Sequence, residues 1–464
     1  SSNAILILVY FTTRSSGCWR GWVRPRGKAN ALCFRRYAIY AAIGGGFFPG
    51  SLLLKSTDGT NWERVVTPVA MGTDSRAMVV HSGKLYVATG GELLSAGRAE
   101  VWATDAPSTT VDNWEKVADF TDVGPGTNVG MASLASFNGY LYAGTANIES
   151  GFQVFRSNAK SPAHPELGQW TKIVEYGGGD MMNYVAATME VFNNRLYVGS
   201  MSLPLIAGDG VELAPPKGFE LIRIGTDDSW ELIAGDYFAW VPPPGDGAFR
   251  LPGSGWPGGF ANFFNLYCWS LQEHDGVLYL GTFDASSFLQ FLPIEELVEL
   301  PELADFFQPI EEYKEEIVIC LVQVIGQLEE LGVDEDCIEP FRQLLEAFES
   351  EPTDWEGMWQ IFIDYFAGAD LWKSKDGIFW EPVTLNGFDN PNNYGFRTMV
   401  SGSLYVGTAN PFQGCEVWKT SVPTAVGGEV HHTNRVAILA PWLALFAFII
   451  AGTTIAVRYR SAHR

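Results

Sequence analysis

Basic residues are scarce in this chain, in which 30 Lys and Arg stand against 53 Asp and Glu. The acidic excess is concentrated between residues 285 and 364, where 21 acidic residues accompany two basic ones, Lys314 and Arg342. The rest of the chain is therefore close to neutral. Because a nucleic-acid-binding surface needs a basic stripe, the sequence predicts no nucleic-acid partner.

Cysteine and histidine are also scarce, with six residues of each type. The cysteines form no CxxC pair and have no accompanying histidine spacing of the zinc-site kind. The sequence also lacks a GxSxG motif, an HExxH motif and a glycine-rich phosphate loop. We therefore predict no metal ion and no cofactor, and no motif identifies a catalytic residue.

Long hydrophobic runs are rare, and the one clear case is the uncharged segment of 22 residues from Val436 to Val457. It is long enough to cross a hydrocarbon core of about 30 Å. The arginines after it predict a cytoplasmic tail, 459–464, and an extracellular position for everything before the helix. We predict a single-pass protein with a stalk over 421–434 and a transmembrane helix over 435–458. The cell membrane is then a partner through residues 436–457.

The N-terminal segment, residues 1–33, has no clear assignment. Ala4 to Phe11 is apolar and the stretch after it is basic, which is the reverse of the order in a secretory signal. Three interpretations stay open: a strand that closes the fold, the remnant of a truncated signal, or a true start elsewhere. We favour the closing strand.

A repeated phrase dominates the rest of the chain. It reads GKLYVATGG, GYLYAGTAN, NRLYVGSMS, GVLYLGTFD and GSLYVGTAN, beginning at Gly83, Gly139, Asn194, Gly276 and Gly402. A second phrase such as AEVWATD follows each copy, and in most copies a Trp before an apolar pair comes next. A weaker sixth copy begins near Ala38.

Within each copy, apolar and polar residues alternate over short runs bounded by Gly, Asn and Asp, which is typical of half-buried strands. We name the four strands of one copy A, B, C and D. A period of about 55 residues indicates an array of small antiparallel sheets, and a ring of four-stranded blades leaves few open edges. We predict an all-β fold, a β-propeller over 34–420 with six blades, seven being possible.

Two turns resemble the Asp-box of sialidase-type BNR propellers, one residue shorter than its usual spacing. They are KSTDGTNW and KSKDGIFW, with Ser56, Asp58 and Trp62 in the first and Ser374, Asp376 and Trp380 in the second. The resemblance implies structural turns in which the Asp accepts amide hydrogens and the Trp packs between sheets. Residues 370–420 look like a repeat of prokaryotic surface proteins, and the spacer and basic tail resemble archaeal anchors.

The resemblance to these propellers implies that the B-to-C and D-to-A connections emerge on one face, and the long connections of this chain are all of these two kinds. We therefore expect function on that face. The loop Gly235 to Ala261 carries Tyr237, Trp240 and Trp256 on a Pro- and Gly-rich backbone. Aromatic rings on such loops suit stacking on sugars or capture of a peptide. The alternative is that these rings pin the loop to the blade.

Arg76 and Arg397 open equivalent A strands and therefore both approach the central channel in the predicted fold. Paired arginines bind a carboxylate well, although salt bridging or turn capping is an alternative role. Ala132, Ala187 and Trp269 occupy the matching places in other copies, and Arg35 or Arg36 is the remaining candidate for a third arginine. The predicted ligand-binding set also includes Tyr184, Asn262, Asn393 and Tyr394.

The acidic segment is an insertion of helical pattern, placed at 285–366 within the fifth blade. Apolar residues from Ile317 to Leu331 recur at spacings of three and four, and Thr353 to Glu356 is a capping-box sequence. We expect about three amphipathic helices. They are either a lid or docking surface, or a solvated decoration.

The sequence favours a surface-anchored binding or adhesion protein that recognises a glycan, a peptide or a neighbouring envelope protein. The rival is an extracellular carbohydrate-active hydrolase or lyase of sialidase-like architecture, and a structural coat is the third hypothesis. Glu190, Glu220 and Tyr184 are available for acid–base chemistry, but no motif joins them. A carboxylate pair and a tyrosine around the arginines favours the enzyme, whereas an aromatic, charge-poor pocket favours the binder.

Overall fold

The structure is a computed structural model. It describes residues 28–35, 38–44, 52–68, 71, 74–90, 97–202, 217–237, 249–291, 314–330, 335–350, 353–401 and 404–420. These residues form two compact units, each considered by itself below. The first unit takes its described residues from 28–283, 371–380 and 396–419, and the second from 284–370 and 381–395.

The described residues are mainly β-structure. The strands are β1 (Lys28–Arg35), β2 (Ala38–Gly44), β3 (Leu52–Ser56), β4 (Glu63–Arg64), β5 (Asp74–His81), β6 (Lys84–Gly90), β7 (Glu100–Thr104), β8 (Glu115–Asp119), β9 (Gly130–Phe137), β10 (Tyr140–Ala146), β11 (Val154–Ser157), β12 (Trp170–Val174), β13 (Val185–Phe192), β14 (Arg195–Met201), β15 (Leu221–Ile224), β16 (Trp230–Ala234), β17 (Asn265–His274), β18 (Val277–Asp284), β19 (Leu371–Ser374), β20 (Glu381–Thr384), β21 (Gly395–Val400), β22 (Tyr405–Ala409) and β23 (Val417–Lys419). The helices are α1 (Lys314–Glu330), α2 (Glu335–Glu349) and α3 (Trp355–Phe366), with short helical turns at Tyr176–Gly179, Gly258–Ala261 and Ala285–Phe291.

Consecutive strands of the first unit pair in antiparallel sheets. The pairings join β1 to β2, β3 and β4 in sequence order, and the same order holds for β5 to β8, β9 to β12 and β13 to β16. Strands β18 and β19 pair in the same way, as do β22 and β23. Each phrase of the repeat therefore forms one strand of a small meander, as the period-2 pattern predicts.

Neighbouring sheets meet along their first strands. Strand β1 packs beside β5, β5 beside β9, β9 beside β13 and β13 beside β17. Single backbone pairs bridge the sheets at this inner edge: Gly90 with Gly130, Ala146 with Val185, and Met201 with Tyr267. Sheets that converge on their first strands are the blades of a β-propeller, so the fold class predicted from the repeat is correct.

The glycine of the repeated phrase is required by the contact between blades. A Cβ atom on Gly144 would lie 2.6 Å from the Cβ atom of Ala186 in the next blade. A Cβ atom on Gly199 would lie 2.3 Å from the sulfur of Cys268. Only glycine lets the second strand of one blade approach the first strand of the next at this distance.

The tyrosine of the phrase links blades at the opposite end of the strand. Tyr86, Tyr142 and Tyr197 are fully buried. Tyr86 hydrogen-bonds to His164, and Tyr142 donates to Asp228. Both partners lie in the turn between the third and fourth strands of the following blade, so a buried hydroxyl group finds a partner there.

Helices α1 to α3 confirm the helical pattern of the acidic segment, but the start of α3 differs from the prediction. The N-cap is Asp354, whose carboxylate accepts a hydrogen bond from the amide of Gly357. Thr353, the predicted first residue of a capping box, lies one position earlier. The structure therefore uses the stronger acceptor of the two neighbours, because an ionised oxygen at the N-terminus also favours the helix dipole.

Strand β1 begins at Lys28, six residues before the predicted start of the propeller at 34. Ala4 to Phe11, the stalk 421–434 and the apolar run 436–457 lie outside the described residues. Within the part of the chain that the structure describes, no helix is both long and apolar enough to span a membrane.

Candidate functional site

Arg76 occupies a β-bulge near the start of its A strand. In β5 the pairing passes from Ser75 to Ala77 while the partner strand advances by one residue, so Arg76 is the extra residue. Ala132 of β9 and Ala187 of β13 are skipped in the same way. A bulge re-aims its extra residue away from the regular alternation of a strand. The three residues are therefore equivalent in the structure, as the alignment of repeats predicts.

The first blade has its bulge at Asn30, because the pairing passes from Ala29 to Ala31. Arg35 instead pairs with Ala38 at the far end of the same two strands. The suggestion that Arg35 supplies a third arginine at the bulge position is therefore wrong. The reason is the register: Arg35 lies five residues beyond the bulge and next to the turn.

Three aromatic rings and one guanidinium group form a cluster, here called the shelf: Tyr267, Trp269, Phe283 and Arg397. The guanidinium carbon of Arg397 lies 5.3 Å from the centroid of the Trp269 ring, within the range of a cation–π contact. Phe283 stacks on Tyr267 at 4.4 Å and meets Trp269 edge-on at 5.3 Å. All four side chains are partly exposed. The structure therefore brings Arg397 together with Trp269, the residue at the equivalent position in the preceding blade.

Arg76 borders a small apolar cavity. Its lining is Arg76, Val129, Gly130, Met131, Ala132, Ala146 and Val185. Tyr184, another predicted ligand residue, belongs to the adjoining apolar cluster with Ala146 and Val185. Tyr184 is nearly buried, and burial raises the pKa of its hydroxyl group. Arg76 therefore borders an apolar pocket.

The other predicted ligand residues take structural positions. Asn262 and Asn393 are fully buried, where the Asn262 oxygen accepts from the amide of Phe264 and the Asn393 amide donates to the carbonyl of Gly387. Tyr394 lies in the second unit, 5.2 Å from the ring of Phe288. Both asparagines thus shape the turn that precedes an A strand.

The aromatic residues of the long loop divide into two kinds. Trp256 is 4% exposed and meets Phe260 and Trp372 edge-on, so it pins the loop to the blade. Tyr237 is partly exposed, stacks loosely on Phe249 at 6.4 Å and donates to the carbonyl of Gly255. Trp240 lies outside the described residues.

Both Asp-box-like turns have the predicted hydrogen bonds. Asp58 accepts from the amides of Thr60 and Asn61, and Asp376 accepts from those of Ile378 and Phe379. The serines Ser56 and Ser374 each accept from the glycine amide three residues on. These bonds favour the ionised carboxyl group: they hold the pKa of Asp58 far below its usual value, and they lower that of Asp376 against its partial burial.

The two tryptophans of these turns differ in burial. Trp380 is 2% exposed and packs 5.5 Å from the ring of Phe260. Trp62 is partly exposed and donates from its ring nitrogen to the carbonyl of Gly59. The second turn therefore anchors a tryptophan in the core, and the first holds its tryptophan over the turn itself.

A buried charged cluster at the base of the long connections has no counterpart in the sequence prediction. Five oxygen atoms surround the ammonium group of Lys217: Glu220 Oε1 at 2.9 Å, Asp236 Oδ2 at 3.4 Å, Asn183 Oδ1 at 3.4 Å, the Gly218 carbonyl at 3.5 Å and Asp180 Oδ2 at 3.6 Å. We call this set the Lys217 cage. Arg250 adds a two-pronged contact to Glu220 and an ion pair with Asp180 at 3.5 Å.

Charge and burial act against each other in the Lys217 cage. Burial opposes the charged form of Lys217, but the carboxylates of Glu220, Asp236 and Asp180 raise its pKa above the ordinary value. Lys217 and Arg250 likewise hold the pKa of Glu220 down despite full burial. Burial raises the pKa of Asp180. Lys217 and Glu220 are therefore ionised partners.

The repeated sequence does mark one member of this cluster, Glu220, as a recurring polar position. A polar residue stands at the start of the C strand or just before it in these five copies: Glu100, Gln153, Glu220, Asp370 and Glu416. In two blades an asparagine amide reaches this residue from the turn before the A strand of the same blade, from Asn128 to Gln153 and from Asn183 to Glu220. The lysine and arginine that join Glu220 belong to non-repeated connections, which is why alignment of repeats does not find them.

Two glutamates of neighbouring A strands also lie close together. The Glu190 carboxylate of β13 accepts from the amide of Glu273 in β17 at 3.4 Å. Burial, with a contribution from the charge of Glu273, raises the pKa of Glu190 to about 7. Glu190 is thus a carboxyl group that gains and loses its proton near neutral pH.

Solved structures resemble this chain, but no protein family matches it. No family model matches the chain, and no curated protein matches its sequence. Similar solved structures include a GH43 β-1,3-galactosidase with galactodeoxynojirimycin (13% identity, 57% of this chain, 88% of that chain, TM-score 0.33), a Cellvibrio cellulosa α-L-arabinanase with arabinohexaose (13%, 56%, 89%, 0.32) and the Bacillus subtilis arabinanase Arb43A (15%, 55%, 88%, 0.31). Because these TM-scores are below 0.5, no activity follows from the similarity.

Proposed function

We propose that this chain is a carbohydrate-recognising β-propeller whose saccharide-contact surface includes the shelf. The observation that carries the proposal is the placement of Arg397 over Trp269, beside Tyr267 and Phe283. An aromatic face packs against the C–H groups of a sugar ring, while a guanidinium group donates to hydroxyl or carboxylate oxygens. The shelf supplies both kinds of contact: Tyr267, Trp269 and Arg397 lie on A strands, where the blades converge, and Phe283 lies on the adjoining B strand.

The apolar cavity beside Arg76 offers a second contact surface for a ligand. Its other lining residues are aliphatic side chains, glycine and methionine. A single cationic group over an apolar wall suits a ligand that is partly apolar and partly hydrogen-bonding.

The test uses the full chain, purified in a mild detergent, on an array of glycans and peptides. Trp269→Ala and Arg397→Ala are the test variants. Trp230→Ala is the matched control, because Trp230 is a partly exposed tryptophan of β16 outside the shelf. We expect glycan binding to fall at least tenfold in both test variants and to persist in the control. Peptide binding alone, or equal binding by all four proteins, would contradict the proposal.

Hydrolysis of a glycosidic bond is the second candidate, and the Glu190–Glu273 pair is the observation that favours it. Glycoside hydrolysis uses two carboxyl groups, one protonated and one ionised. Glu190, with a pKa of about 7, can donate a proton at neutral pH, and Glu273, whose backbone amide donates to Glu190, is the neighbouring acidic residue. The galactosidase and arabinanases named above are enzymes of this second kind rather than adhesion proteins.

A panel of galactosides and arabinans, with release of reducing sugar as the readout, tests the hydrolase candidate. Glu190→Gln removes the proton donor and keeps a similar side-chain volume, so we expect it to abolish turnover while glycan binding persists. Turnover that survives this change excludes Glu190 as the general acid. Binding without turnover in the unmodified chain leaves recognition as the function.

The finer architecture is part of the same proposal. We propose six blades, an N-terminal strand from Ala4 to Phe11 that completes the last blade, and an extracellular propeller anchored by residues 436–457. The six consecutive groups of strands and the uncharged run support it. Extraction of native membranes at alkaline pH tests the anchor: the full chain stays in the pellet, and a chain ending at residue 430 is released.

A further inference from the structure

The Lys217 cage has the composition of a calcium site. Hard cations such as Ca²⁺ take several oxygen ligands from carboxylates, amide carbonyls and backbone carbonyls. The cage offers three carboxylates, one asparagine oxygen and one backbone carbonyl around one point. The nearest oxygen atoms of Asp180, Glu220 and Asp236 lie within 4.8 Å of one another. A cation already occupies that point, and it is the ammonium group of Lys217.

A second observation shows that the cage is built for a cation. Asp180 is fully buried, and its Oδ2 atom has no hydrogen-bond partner among the described residues. This atom points at the ammonium group, 3.6 Å away, and at Arg250. A buried oxygen without a hydrogen bond is costly. Its retention is explained by the charge that it faces.

We propose that Lys217 occupies a divalent-cation site with its own ammonium group, and that the cage binds Ca²⁺ when this group is removed. With Lys217 present, two positive side chains face three carboxylates. Without it, Arg250 alone opposes Asp180, Glu220 and Asp236, so the site has an uncompensated negative charge and an empty centre. This inference concerns a site distinct from the shelf and does not depend on carbohydrate binding.

The position of the cage gives it a role in the fold. Lys217 directly follows the connection 203–216, while Asp236 and Arg250 flank the segment 238–248 closely. The cage therefore ties the second end of the first connection, through Lys217, and both ends of the second, through Asp236 and Arg250, to Glu220 of the blade. A covalently attached cation makes this anchoring independent of metal supply.

The test compares the full chain with Lys217→Ala, which empties the cage, and Lys217→Met, which fills it with an uncharged side chain of similar length. Thermal unfolding is measured in EDTA and over a series of CaCl2 concentrations, with calorimetric titration for stoichiometry. We expect the Tm of the alanine variant to fall in EDTA and to rise with calcium, saturating at one ion per chain. The unmodified chain and the methionine variant give no such calcium-dependent rise.

Several outcomes would overturn the inference. One is a folded alanine variant that takes up no calcium, and another is the same calcium response in all three proteins. An alanine variant that is insoluble with and without calcium, while the methionine variant folds, also contradicts it, since calcium should replace the ammonium group. Recovery of folded alanine variant only in calcium supports the inference as strongly as a shift in Tm.

Discussion

The hydroxyl group of Tyr142 donates to Oδ1 of Asp228 at 2.7 Å, although 86 residues separate them in the chain. Tyr142 lies in the second strand of one blade, and Asp228 lies in the outer turn of the next. The same carboxylate is paired with Arg156. One buried hydroxyl group therefore fastens two blades together at their periphery.

Tyr142→Phe removes this hydroxyl group without changing the ring. We expect the free energy of unfolding to fall by about 1–2 kcal/mol, because the buried hydrogen bond is to a charged acceptor. Urea unfolding followed by circular dichroism measures the loss. Tyr140→Phe is the control, because the ring of Tyr140 is contacted from its face by Arg156 and that contact survives. An equal loss in both variants would rule out the inter-blade bond as the cause.

Gly199→Ala places a Cβ atom 2.3 Å from the sulfur of Cys268 and 2.5 Å from its Cβ atom. We expect a loss of at least about 1–3 kcal/mol, since neighbouring backbones would have to move apart. Adding Cys268→Gly should recover part of the loss, as a double-mutant cycle would show.

Gly326→Ala in α1 is the opposite case. Nothing lies within 4 Å of the added Cβ atom, and the free energy of unfolding should rise by up to about 1 kcal/mol.

The raised pKa of Glu190 makes stability depend on pH. Its ordinary value is 4.5 and its value in the fold is about 7, so the folded state binds the proton more tightly. The stabilising contribution of the Glu190 carboxyl group is therefore fully present below pH 4.5 and is lost as pH rises through 7, by about 3 kcal/mol in all. Glu190→Gln should remove this decline in chemical unfolding from pH 5 to 8. Glu166→Gln, at an exposed position, should leave the decline unchanged.

Asp376→Ala removes the acceptor for the amides of Ile378 and Phe379. The turn also positions the buried Trp380, so we expect a loss of about 1–3 kcal/mol. Asp376→Asn keeps one oxygen acceptor without the charge and should lose less. Fluorescence of the tryptophans during urea unfolding checks the order. A larger loss for asparagine than for alanine would contradict this role of the carboxylate.

The bulge residues show which equivalent positions the repeat alone predicts and which it misses. Alignment places Arg76, Ala132 and Ala187 at one equivalent position, and the strand register agrees. It does not identify Asn30 as the first-blade equivalent, because the first copy matches the others only weakly. Register depends on which residues pair across strands, and a one-residue bulge changes that pairing without leaving a mark in the local pattern.

Trp256 shows the same limit for side chains in loops. In the sequence it is one aromatic residue among several in a segment rich in proline and glycine. In the structure it is buried against Phe260 and Trp372, and Trp372 lies 116 positions further along the chain. Composition cannot distinguish a ring that contacts ligand from one that packs inward, because the difference lies in contacts with distant residues.

The sequence by itself determined the strands, the turns and their arrangement in blades, because alternation over short runs and turn chemistry are local properties. The Gly and Tyr of the repeated phrase recur in the sequence, but their contacts between blades are visible only in the structure. Only the tertiary structure decided which buried charged side chains meet: Asp180, Lys217 and Arg250 come from three connections of different length. Their grouping arises from the packing of neighbouring blades, which brings together residues that no local pattern relates.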